Sequence, residues 1–159
     1  MAPGIAVALA LGIGLVAGLR SMTAPAVVAW AAHLDWINLS GSHFGFMAST
    51  WAVCILSAAA LGEYVADLLP GVPARTSVAP LTARIVTGAL SAACLGVASH
   101  HGIVLSATAG ATGALVGAFA GYEMRRRLVK VIGGPDLAVA IPEDIIAIGL
   151  GVFLLSRFS

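Results

Sequence analysis

The chain has 159 residues, of which 60% are hydrophobic and 9% charged, with a mean hydropathy of +1.02. A soluble domain is about a quarter charged, so this chain lacks the residues to cover a water-facing surface; an ordinary soluble enzyme, a disordered tail and a nucleic-acid binder are excluded. Eight Lys+Arg against seven Asp+Glu leave a net charge of +1, too little to steer an acidic partner.

The length suits a single domain, 1–159. In a bilayer, at roughly 20 residues per crossing, it suits an all-α membrane protein built as a compact bundle of about six transmembrane helices. Six apolar segments run approximately over 3–19, 24–39, 46–68, 81–99, 103–124 and 138–156. The first has no basic n-region and no small-residue cleavage site, so it reads as a retained helix and not a signal peptide. Pro25 opens the second, where a missing amide is tolerated, but Asp35 and Asn38 interrupt it, and a re-entrant segment is the alternative. The third ends at Pro70 and Pro73, which favour extended backbone.

Six crossings put Arg20, Arg75, Arg84, Arg125, Arg126, Arg127 and Lys130 at or near one membrane face and Arg157 alone at the other. Lys and Arg in short loops stay cytoplasmic. The expected location is therefore a bacterial inner membrane, multi-pass, with both termini outside. The longer, Pro-rich connections fall on the inner face, at 70–80 and 125–142, and any chemistry is expected there.

Lipid gives helices no hydrophobic reason to associate, so small residues carry the packing. Gly110, Gly113, Gly117 and Gly121 share one face of the fifth segment, and Gly14 and Gly18 share one face of the first. The Gly14/Gly18 and Gly113/Gly117 faces either pack within the chain or join copies of it as a homo-oligomer. Ala24-Pro25, Ala79-Pro80 and Ile141-Pro142 each open a segment running outward. They read as three hairpin repeats of one sense, or as ordinary helix-start prolines.

Ionisable residues inside a membrane are expensive and mark candidate sites. Glu63 and Asp67 lie at i and i+4 on one face of the third segment, with Arg84 at similar depth as the expected partner of Glu63. Glu143 and Asp144 follow Pro142 but point about 100° apart, so at most one is expected to face the same cavity fully. Arg20 and Arg75 are expected near the mouth. These seven residues either line a path for a small solute or ion, or form charge-paired helix ends. His33, His43, His100 and His101 gather at the outer face as weak candidate metal ligands, with no metal-motif spacing. Cys54 and Cys94 read as small apolar fillers, and the Arg125–Arg127 run reads as a topology anchor. No phosphate-binding Gly-Lys motif, nucleophile elbow, HExxH or CxxC is present, so no cofactor is implied and an enzyme is disfavoured.

Several of these pieces resemble a family of small bacterial membrane proteins, domain-of-unknown-function family 4126. They are Gly18-Leu-Arg20-Ser-Met-Thr23, Glu63-Tyr-Val-Ala-Asp67-Leu-Leu-Pro70 with Val72-Pro-Ala-Arg75-Thr76, Arg84 to Gly88, Pro135-Asp136, Val139-Ala140 and Glu143-Asp144 through Gly149. Met22 departs, standing where a bulkier aromatic is expected. The resemblance implies a membrane location and that the polar inner motifs belong together, without a reaction. The leading expectation is transport or permeation of a small solute or ion in the lipid bilayer, with Glu63→Gln leaving folding intact but abolishing flux. The alternatives are a membrane scaffold that binds a partner helix and an enzyme acting on lipid headgroups.

Overall fold

The computed structural model describes residues 1–67, 76–132 and 137–158. Among the described residues there are six α-helices and no strand: α1 Pro3–Leu19, α2 Thr23–His33, α3 Thr50–Ala66, α4 Val78–Ala98, α5 Ile103–Ile132 and α6 Leu137–Leu155. A single 3₁₀ turn, Gly45–Ala48, precedes α3. Two helices, Val78–Ala98 and Ile103–Val131, are long and apolar enough to cross a membrane. α1 and α3 are shorter apolar helices of 17 residues.

Helices α1, α4 and α5 form the centre, and glycine sets their spacing. A Cβ placed on Gly18 would come within 2.7 Å of the Gly117 Cα, and one on Gly113 within 3.0 Å of the Leu15 amide nitrogen. On the neighbouring side, a Cβ on Gly88 would meet the Gly110 carbonyl oxygen at 3.0 Å and the Ala17 Cβ at 3.3 Å. The helices therefore touch backbone to backbone, which only residues without a side chain permit. The two faces that the sequence left open to a second copy of the chain, Gly14/Gly18 and Gly113/Gly117, are filled by each other from within.

α2, α3 and α6 surround this trio. α3 buries only Val53 and Ala60 and packs on α2 and the 3₁₀ turn. The side-chain distribution is the reverse of a soluble domain's. Large apolar groups lie exposed on every helix, such as Ile5 on α1, Trp30 on α2, Trp51 on α3, Val86 on α4, Val104 on α5 and Phe153 on α6. Alanine makes up much of the core, and Arg20 and Arg84 are buried with it.

Two boundaries differ most from the sequence reading. α2 stops at His33, six residues short of the expected 39 (39 − 33), because its end is tied off locally. The Trp36 amide donates to the Ala31 carbonyl at 2.9 Å and the Asp35 amide to Ala32 at 3.4 Å, while Asp35 takes φ +58°. This is the Schellman pattern, whose left-handed residue is usually glycine. The end of α4 repeats it, with His101 donating to Gly96, His100 donating to Val97, and His100 at φ +56°. α5, in contrast, continues past 124 to Ile132, so Arg125, Arg126, Arg127 and Lys130 ride on helix, where a loop was expected. Glu123 holds Arg127 at 2.8 Å and Arg126 at 3.3 Å, one turn along.

These contacts give expected outcomes at three positions, read by melting in detergent micelles. Gly113→Leu destabilises the fold by about 3 kcal/mol or more, since its side chain meets backbone that cannot move aside. Gly62→Ala is neutral or better, because nothing lies within 4 Å of its Cβ position. Likewise Asp35→Gly is tolerated, whereas Asp35→Val costs about 1–2 kcal/mol for a left-handed residue.

Candidate functional site

One end of the bundle is where α1, α3 and α5 finish and α2, α4 and α6 begin, and charged residues from five of them meet there. α1 ends at Arg20, whose backbone turns extended at φ −141° while its amide still donates to Val16. The side chain folds inward and is 0% exposed. An isolated guanidinium at such a position would be prohibitively costly, so it must be paired. Nη1 donates to Asp67 Oδ2 at the end of α3. Nε lies 2.5 Å from Asp144 Oδ1 on α6, close enough for an ion pair although not aligned as a hydrogen bond. The guanidinium also lies 5.4 Å from the centre of the Tyr64 ring, as a cation over an aromatic face. Its third nitrogen, Nη2, is buried with no hydrogen-bond partner among the described residues.

Asp67 stands at the carboxyl end of α3, where a helix dipole disfavours a negative charge. Two cations offset this, Arg20 from α1 and Arg125 from α5, the latter at 3.4 Å. Arg125 also reaches Glu143 at 3.7 Å. Both acids of the Glu143-Asp144 pair therefore join the network, as expected of the pathway residues. Their divergent directions are met from two sides, by Arg125 and by Arg20. They sit in the second turn of α6, flanked by Pro142 inside the helix.

Glu63, one turn before Asp67, has a different task. Its Oε1 accepts from the Ser21 amide at 2.9 Å and the Ser21 hydroxyl at 3.0 Å, and its Oε2 accepts from the Met22 amide at 2.8 Å. A carboxylate from α3 thus caps the amino end of α2, satisfying donors that no helix can satisfy itself. Beside it the Thr23 and Tyr64 hydroxyls share a hydrogen bond of 2.7 Å. Arg84 lies 3.6 Å from Glu63, but its Nε donates to the Gly18 carbonyl at 3.1 Å, placing a cation on the carboxyl end of α1.

Six of the seven residues singled out in the sequence come together here: Arg20, Glu63, Asp67, Arg84, Glu143 and Asp144. The seventh, Arg75, lies outside the described residues. Arg20 was expected at the mouth and is instead the most buried member, because α1 ends inside the bundle and not at its rim. The sequence reading passed over Ser21, Thr23, Tyr64 and Arg125. Tyr64 lies between the two acids of its own motif, and Arg125 was hidden in a run that reads as an anchor.

The histidines do not assemble. His33 bonds through Nδ1 to the Ala48 carbonyl at 2.9 Å, His101 bonds to Ser99 at 2.7 Å, and His100 forms the end of α4. Among the described residues no group of three His, Cys, Asp or Glu is placed to hold a metal ion. The His33 and His101 rings are tied to backbone carbonyls, and the His33 ring also stands edge-on to Trp30, ring centres 6.3 Å apart.

The chain belongs to a family described as a domain of unknown function (DUF4126), which matches residues 7–156. No curated protein and no solved structure matches it.

The hydrogen bonds to Glu63 change one expectation and create another. Glu63→Gln is not a silent fold: an amide nitrogen set against the Ser21 and Met22 donors costs about 1–3 kcal/mol, seen as a lower melting temperature. Arg20→Leu leaves Asp144 buried without its cation and costs about 3–5 kcal/mol, and Arg20→Leu with Asp144→Leu recovers much of that loss. Equal melting of the single and double variants would refute a direct coupling.

Proposed function

We propose that this chain is a multi-pass membrane protein of a bacterial inner membrane, with both termini outside, and that its inner charge network moves a small solute or ion. The membrane assignment rests on the exposed apolar exterior, the alanine- and glycine-lined interior and the asymmetry of basic residues. Surrounding all six helices with hydrocarbon leaves the exterior without a desolvation penalty.

The observation that carries the transport reading is the state of Arg20. Its guanidinium is fully buried between carboxylates on two peripheral helices, α3 and α6, and Nη2 has no hydrogen-bond partner among the described residues. Buried ion pairs are poor devices for stability alone, since apolar residues of the same shape do as well or better. They are effective where partners are exchanged. Protonation of Asp144, or a cation arriving beside it, releases Arg20 toward Asp67 and loosens α6 from α1. A solute with a hydrogen-bond acceptor then finds the unmatched nitrogen waiting.

A second reading is favoured by Glu63, whose three hydrogen bonds are those of a cap. In that reading the network is a lock holding a scaffold together, and its charges affect stability alone.

Asp144→Asn separates the two, because asparagine keeps an oxygen toward Arg20 Nε but cannot take up a proton. In proteoliposomes with an entrapped pH dye and a potassium–valinomycin potential, the native chain carries protons and Asp144→Asn does not, while its gel-filtration profile is unchanged. Equal proton flux in the variant would overturn the transport reading.

A further inference from the structure

Outward from the network, α4 presents a line of polar residues to the interior. Arg84, Thr87 and Ser91 recur at spacings of three and four residues, which aligns them on one face. All three are buried. Arg84 is anchored on α1, and the Thr87 hydroxyl donates to its own helix at the Ala83 carbonyl, 2.9 Å away. Ser91 breaks the pattern. It is 0% exposed, and its hydroxyl has no hydrogen-bond partner among the described residues. A serine in a helix ordinarily returns its proton to a carbonyl of the preceding turn, as Thr87 does here. A buried hydroxyl left unmatched carries a cost of about 1–3 kcal/mol, and alanine at the same place would avoid it.

We propose that Ser91 is a water-binding site, the midpoint of a narrow hydrated lane that runs along α4 from the inner charge network into the outer half of the bundle. Its position is seven residues beyond Arg84 (91 − 84), about 10 Å along the helix axis. The ligand is water, and the species that water relays is the proton. Two features select this class. A hydroxyl both donates and accepts, as a relay requires. No charged residue lies on α4 beyond Arg84 to attract an ion farther along it. The lane rests on the transport reading and specifies it: the network supplies the proton, and the Ser91 hydroxyl holds the water that carries it across the driest part of the interior.

Cysteine labelling tests the lane separately from transport. The two native thiols are replaced (Cys54→Ser, Cys94→Ala), and a single cysteine is then placed at Ser91 or at Leu90. These neighbours share a depth but point about 100° apart on the helix. Thiols react as thiolates, which form only in water. 2-Aminoethyl methanethiosulfonate added to proteoliposomes is expected to modify Ser91→Cys at least about tenfold faster than Leu90→Cys. A Ser91→Cys rate equal to or below that of Leu90→Cys overturns the lane. Proton flux provides the second measurement, with Ser91→Val lowering it and Ser91→Thr restoring it. If Ser91→Cys is unreactive but Asp144→Asn still abolishes flux, the lane falls and the transport reading stands. If Ser91→Cys is labelled in a chain that carries no protons, the water site stands and the transport reading falls.

Discussion

Gly14, Gly18, Gly88, Gly110, Gly113 and Gly117 put hydrogen where other residues carry a side chain, and α1, α4 and α5 close on one another until their backbones meet. In a bilayer this matters more than it would in water. Lipid tails solvate a leucine as well as a protein interior does, so exposed apolar area does not draw helices together, and dispersion at very short range must do so. The three central helices obtain that contact. α3, with only Val53 and Ala60 buried, has little of it and must be held by other means.

Those other means are electrostatic, concentrated at the end where α1 and α3 finish. Glu63 caps α2, Asp67 is shared by Arg20 and Arg125, and Tyr64 bonds Thr23. Asp144 and Glu143 bind α6 to the same cations. Two kinds of cohesion are thus spatially separated. A glycine-packed centre resists deformation, and outer helices are fastened to it by charges whose strength depends on protonation. A protein that has to move one part against another while staying assembled needs both kinds.

Much of this was legible in the sequence, for identifiable reasons. Long apolar runs located the helices, and the i, i+4 spacing of Glu63 and Asp67 put both on one face. The misread features share a cause: each depended on how a chain end is terminated, which hydropathy does not record. The apolar run extends to 39 through Ile37 and Leu39, which are indeed buried, yet they belong to the turn after the helix. Asp35 interrupted the run and was the signal of that turn. Arg20 was put at the rim because it follows an apolar helix, as topology anchors do. Only the placement of Asp67 and Asp144 shows that it turns inward. Arg125 was absorbed into a basic run whose other members do face outward.

The contact between α1 and α5 also has a consequence in time. Gly18 and Gly117, which nearly touch, are 99 residues apart (117 − 18). At translation rates of ~5–20 residues per second, the first helix waits about 5–20 s for the fifth. Throughout that interval the small-residue face of α1 lacks the α5 backbone that fills it in the finished fold. The α1–α4–α5 trio is complete only once α5 has been made. The chain's earliest segment is thus the one most dependent on a late one.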